Sequence, residues 1–83
     1  MRNKKILIVE DDVEISRLTD MYLQAEGFDT LVAENGKTAL ELIKQATPDL
    51  VILDLMLPEI DGIEVCKLAR EFYQGAILVM TAR

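Results

Sequence analysis

The sequence predicts an α/β fold, a parallel sheet covered on both faces by helices. Three observations predict it. Apolar runs of four or five residues alternate with longer stretches whose apolar groups recur at helical spacing. The strongest of these runs are continuous rather than alternating with polar residues, as strands buried on both faces are. The resulting order, βαβαβαβ, joins each strand to the next through a helix, which calls for right-handed crossovers.

Each element has its own signal. "KILIV", Lys5 to Val9, is the first strand. From Val13 to Glu26, Ile15, Leu18, Tyr22 and Ala25 fall at helical spacing with Met21 beside them. Asp12 suits the N-cap and Gly27 the stop. Phe28 to Ala33 is a second strand, weakened by Asp29 and Thr30. Asn35 and Gly36 open a second helix with Ala39, Leu40 and Ile43 on one face, ending before Pro48. Leu50 to Leu53 is the third strand. "LPEIDG", with Pro58 and Gly62, reads as a turn into a third helix from Gly62 to Phe72. Ile63, Cys66 and Ala69 form its stripe, with Val65 and Leu68 flanking. "AILVM", Ala76 to Met80, is the fourth strand. No helical stretch follows it to cover the sheet.

Size and composition exclude several functions. Eighty-three residues allow one domain at most, and a chain this short buries roughly 60–65% of its unfolded surface. A hydrophobic content of 51% suffices for a core. No apolar run approaches the roughly 20 residues a membrane helix needs. The opening "MRNKKILIVE" is basic and then apolar, but the apolar part spans only Ile6 to Val9 before acids follow, too short for a signal peptide. Cys66 is the single cysteine, which excludes an internal disulfide and suits a cytoplasmic setting. With no histidine, histidine-based catalysis is out. A net charge of −6 argues against this segment itself gripping DNA or anionic lipid.

The acids are placed where ligands bind in such a sheet, beyond the carboxyl ends of the strands. Glu10, Asp11 and Asp12 follow the first strand and Asp54 follows the third. If those strands are neighbours, at least three carboxylates converge. Their repulsion calls for a cation, and a hard divalent ion such as Mg²⁺ suits an all-oxygen set. Asp12 reads equally well as a helix cap. Thr81 follows the fourth strand, where its hydroxyl suits the rim of the same pocket. Cys66 reads as a core residue, and Met21, Met56 and Met80 as packing groups.

Together, "KILIVEDD", "DLVILDLMLPEIDGIEV" and "ILVMTAR" resemble the receiver domain of bacterial two-component response regulators, over Lys5 to Arg83. The last two most resemble receivers that precede winged-helix DNA-binding domains. The resemblance implies a three-layer, flavodoxin-like sheet in the order 2-1-3-4, with strand five and the last two helices missing, so that residues 1–83 are about the first two-thirds of the domain. It implies that Asp54 accepts a phosphoryl group from a phosphohistidine on a sensor histidine kinase. It implies a Mg²⁺ (or Mn²⁺) ion held by Asp11, Asp54, the backbone carbonyl of Met56 and, through water, Glu10. Thr81 becomes the phosphate-sensing hydroxyl, and Asp12 receives no role. The family's lysine after strand five has no counterpart, since Lys67 lies on the third helix.

The chain is then a phospho-acceptor and not an enzyme, beyond slow self-dephosphorylation at most. It would be cytoplasmic, act on DNA only through an attached output domain, and self-associate through an exposed fourth strand. Two alternatives stand beside this reading: a protein-interaction module of the same fold that never takes phosphate, and an aspartyl phosphatase resembling the haloacid dehalogenase family. The latter wants an acid two residues after the nucleophile, where this chain has Met56.

Overall fold

Four parallel strands stand side by side in the order β2-β1-β3-β4, with every helix serving as a crossover between them. The structure, a computed structural model, describes residues 3–80. The strands are β1 (Lys5–Val9), β2 (Asp29–Ala33), β3 (Leu50–Asp54) and β4 (Ala76–Met80). The helices are α1 (Val13–Ala25), α2 (Gly36–Ala46) and α3 (Gly62–Ala69).

Side chains alternate across the strands, and each face meets different helices. Leu7, Val9, Val51 and Leu53 share one cluster with Ala39 and Ile43 of α2 and Val65 and Ala69 of α3. The opposite face meets α1, whose Asp20 accepts hydrogen bonds from Thr30 of β2 and from Gln24. The result is three layers, with β1 and β3 buried at the centre. An acceptor side chain caps each helix. Asp12 accepts from the amides of Glu14 and Ile15 at 3.0 and 3.2 Å, Asn35 from Thr38 at 2.8 Å, and Asp61 from Glu64 at 2.9 Å.

Two expectations, on α3 and on the methionines, need correction, and the one on α1 does not. The stripe of α1 is helical as expected and lies bare: Leu18 and Tyr22 are each 66% and Ile15 38% exposed, while Ser16 on another side of the helix is buried, with Thr19, Asp20 and Leu23 half-buried. From α1, Asp20 accepts from the Thr30 hydroxyl of β2, and the Gln24 side-chain amide donates to the same hydroxyl. The α3 helix ends at Ala69 instead of Phe72, because its last turns close on the i−3 carbonyls and Tyr73 folds inward. Its packed face is Gly62, Val65 and Ala69, and Ile63 turns outward. Met21 and Met56 are not packing groups but are exposed on the surface. Cys66, by contrast, is half-buried and packs against the core.

Tyr73 joins two loops at the amino ends of the strands. Its hydroxyl donates to the Pro48 carbonyl at 2.7 Å inside the protein. Burial is the main reason its ionisation is pushed above the usual 10.0; Asp49 adds to this and Arg70 opposes it. The folded state favours the neutral phenol, so this stability is fully present below pH 10 and is lost as pH rises through the elevated folded value. Tyr73→Phe should flatten the alkaline fall in urea midpoint. At neutral pH it should cost about 1–2 kcal/mol, because the Pro48 carbonyl loses its donor inside the protein. An unchanged alkaline slope would show that other groups control it.

Candidate functional site

Parallel register brings the acids together. Val9 lies opposite Leu53, so Glu10 and Asp54, the residues after them, emerge side by side at the carboxyl ends of neighbouring strands. Glu10 is tied to the sheet by its amide, which donates to the Ala33 carbonyl at 3.0 Å. One oxygen from each of Glu10, Asp11 and Asp54 lies within 4.8 Å of the others. Glu10 is 5% and Asp54 3% exposed, and Asp11 is half-buried at the rim.

Local hydrogen bonds orient two of the three. The Asp12 amide donates to Glu10 Oε2 at 3.0 Å, so the residue that caps α1 also holds the neighbouring carboxylate. The Met56 amide donates to Asp54 Oδ1 at 2.9 Å, which locks the carboxylate against the loop that follows β3. That loop is held in turn by the Leu55 amide, which donates to the Met80 carbonyl at 3.0 Å, and by the Gly62 amide, which donates to the Leu55 carbonyl at 3.1 Å.

Buried carboxylates are costly without compensation, and three this close repel one another. The donors are all oxygen, with no nitrogen or sulfur, which fits a hard cation such as Mg²⁺ or Mn²⁺. The set therefore fits the ion expected from the sequence.

Glu10, Asp11 and Asp54 thus meet as the sequence predicted, and Asp12 is a cap outside the cluster. Asp54 is the last residue of β3, paired with Met80 of β4, rather than lying just past the strand. Thr81 follows Met80 in the chain but lies outside the described residues. Sequence reasoning missed the cap on α3. The spacing Asp61-x-x-Glu64 is a capping-box signal that would have found it. It also missed the contact of Gly62 with the β3 backbone, for which pattern offers no signal. An open groove of about 550 Å³, lined by Asn3, Gly27, Asp29 and others, lies at the opposite end of the sheet and holds none of these acids.

Residues 6–83 match the response regulator receiver domain. The chain is 44% identical over 82 residues to the alkaline phosphatase synthesis transcriptional regulatory protein PhoP of Bacillus subtilis, covering 98% of this chain and 34% of PhoP. It is 41% identical over 80 residues to the DNA-binding response regulator MtrA of Mycobacterium tuberculosis, covering 96% of this chain and 35% of MtrA. It thus spans about a third of the length of these curated relatives. Among solved structures, the response regulator TrrA of Thermotoga maritima in complex with Mg²⁺-BeF superposes with a TM-score of 0.89 at 41% identity, over 96% of this chain and 70% of that one.

Proposed function

The chain belongs to the response regulator receiver domain family, and from that membership we propose that it accepts a phosphoryl group on the carboxylate of Asp54. The observation that carries the reading is the meeting of Glu10, Asp11 and Asp54 within 4.8 Å at the carboxyl ends of adjacent strands. An aspartyl nucleophile must be ionised and held in line with the phosphorus it attacks. Asp54 is held by β3 behind it and by the Met56 amide beside it. A carboxylate oxygen forms the new O–P bond while the P–N bond of a phosphohistidine donor breaks, and the electron pair leaves on the imidazole nitrogen.

Asp11, Asp54 and the Met56 carbonyl would hold a divalent cation directly, with Glu10 acting through water. When bound, the ion offsets the clustered negative charge and that of the phosphoryl oxygens. Met56 is well placed in sequence for this role, because its amide already engages the acceptor. Thr81, next after the partner of Asp54 in β4, is proposed to bond a phosphoryl oxygen. We further propose that residues 1–83 are the first part of a receiver, that the donor is a sensor histidine kinase, and that control of transcription runs through a DNA-binding output domain, as the names of PhoP and MtrA suggest by analogy. No helix among the described residues is long and apolar enough to cross a membrane.

Calorimetric titration with Mg²⁺ tests the site. The wild-type chain should bind weakly, because waters complete the coordination. Asp54→Asn should bind at least about tenfold more weakly, having lost a charged ligand. Equal binding by both would remove Asp54 from the metal site.

A second reading, as an interaction surface, has its own support. Among the described residues β4 pairs on one side only, with β3. Leu78 is 53% and Val79 42% exposed. Beside them lies a groove of about 490 Å³ lined by Leu55, Ile63, Cys66, Lys67, Arg70 and Val79. An open apolar edge is a template for strand pairing. We propose that the 83-residue chain self-associates through β4. Sedimentation at micromolar concentration should find dimers or larger species, and Leu78→Lys should shift them toward monomer. A single monomeric species in the wild type would refute the proposal.

A further inference from the structure

We infer that Gly62 is a positioning residue for Asp54, because its missing side chain lets the first turn of α3 seat directly on the Asp54–Leu55 peptide. The inference rests on the reading of Asp54 as the phospho-acceptor. A Cβ built on Gly62 would lie 2.6 Å from the Asp54 carbonyl oxygen, 2.6 Å from Leu55 Cα and 3.1 Å from the Asp54 carbonyl carbon. All three are backbone atoms, which cannot swing aside as a side chain can. Gly62 does not have a left-handed φ, unlike Gly27. It is therefore required for space and not for backbone conformation.

The peptide it touches is held from two directions. The Leu55 amide donates to Met80 of β4, and the Leu55 carbonyl accepts from the Gly62 amide itself. The same short segment carries the acceptor carboxylate at one end and, at the other, the Met56 amide that bonds Asp54 Oδ1. Any side chain at position 62 must lift α3 away or push this peptide out of its place. Either movement shifts Asp54 relative to Glu10 and Asp11, which are anchored on β1 and do not follow. Gly36 provides the contrast. A Cβ there would also be crowded, at 2.6 Å, but by Val65 Cγ2, a side-chain atom in the contact between α2 and α3.

The test compares wild type, Gly62→Ala and Gly36→Ala by Mg²⁺ calorimetry, with urea melts to record stability. Gly62→Ala should bind Mg²⁺ about tenfold or more weakly, as expected when support behind a ligand is lost. Gly36→Ala should lose stability yet bind as wild type does. Equal losses of affinity in both variants, or none in Gly62→Ala, would overturn the inference by reducing Gly62 to a packing residue. Failure of the wild type to bind would instead remove the site itself, and the inference with it. Should Gly62→Ala not fold, the wild-type amide spectrum decides. On addition of Mg²⁺, the Gly62 resonance should move together with those of Leu55 and Met56. A stationary Gly62 signal beside a shifting Met56 would show that the two are not coupled.

Discussion

Replacing Asp54 by Ala should abolish phosphoryl transfer to this domain. Incubated with acetyl phosphate and Mg²⁺ and read by intact mass, a protein carrying residues 1–83 should gain one phosphoryl group, and Asp54→Ala should gain none. The expectation is all-or-none because the group that forms the O–P bond has been removed. Glu10 does not substitute, since its Oε2 is held by the Asp12 amide. Asp11, at the rim, lacks the fixed approach that Asp54 has from β3. Asp54→Asn guards against loss of fold. It keeps an oxygen for the Met56 amide, removes the nucleophile and takes one charge from a cluster of three. Without metal, it should therefore melt at higher urea than wild type, as relief of repulsion predicts. The 83-residue chain alone should label more slowly than a receiver bearing the family's lysine, for want of that cation beside the phosphoryl group. Full labelling of Asp54→Ala at any rate would exclude Asp54 as the acceptor.

The second large effect is on stability. Leu7 lies at the middle of β1, paired with Leu31 on one side and Val51 on the other, and is fully buried. Leu7→Ala removes its packing against α2 and leaves a cavity that a central strand cannot collapse around. Such changes cost about 2–5 kcal/mol. A chain of this size has roughly 4–12 kcal/mol in all, at about 0.05–0.15 kcal/mol per residue. Leu7→Ala should therefore be partly unfolded at room temperature or melt at much lower urea, followed by circular dichroism. The exposed Leu18→Ala, of identical chemistry, should change stability by under about 0.5 kcal/mol. Similar losses for the two would mean that β1 is not the centre of the core.

That pair also marks where sequence reading stops. The strands were legible because a strand buried on both faces has no room for polar side chains, and "KILIV" and "AILVM" state this residue by residue. The caps Asp12 and Asn35 were legible because capping is local chemistry within three residues. The packed side of α1, built on Ser16, was not. The apolar spacing of α1 is helical and Leu18 lies bare, while Ser16 packs on the side where Asp20 bonds Thr30 of β2. Helical periodicity cannot report on a partner that is distant in sequence.

The site divides in the same way. The sequence by itself determined the candidate residues, since acids placed after apolar strands lie at the ligand end of a parallel sheet, and Glu10, Asp11 and Asp54 are such acids. Only the tertiary structure decided that they meet. Register between β1 and β3 puts Glu10 beside Asp54, although 43 residues separate them in the chain. It also decided how closely α3 seats on the Asp54–Leu55 peptide, where a Cβ on Gly62 would come within 2.6 Å of the backbone. Convergence and close approach are properties of pairs of segments, and no pattern within either segment encodes the distance between them.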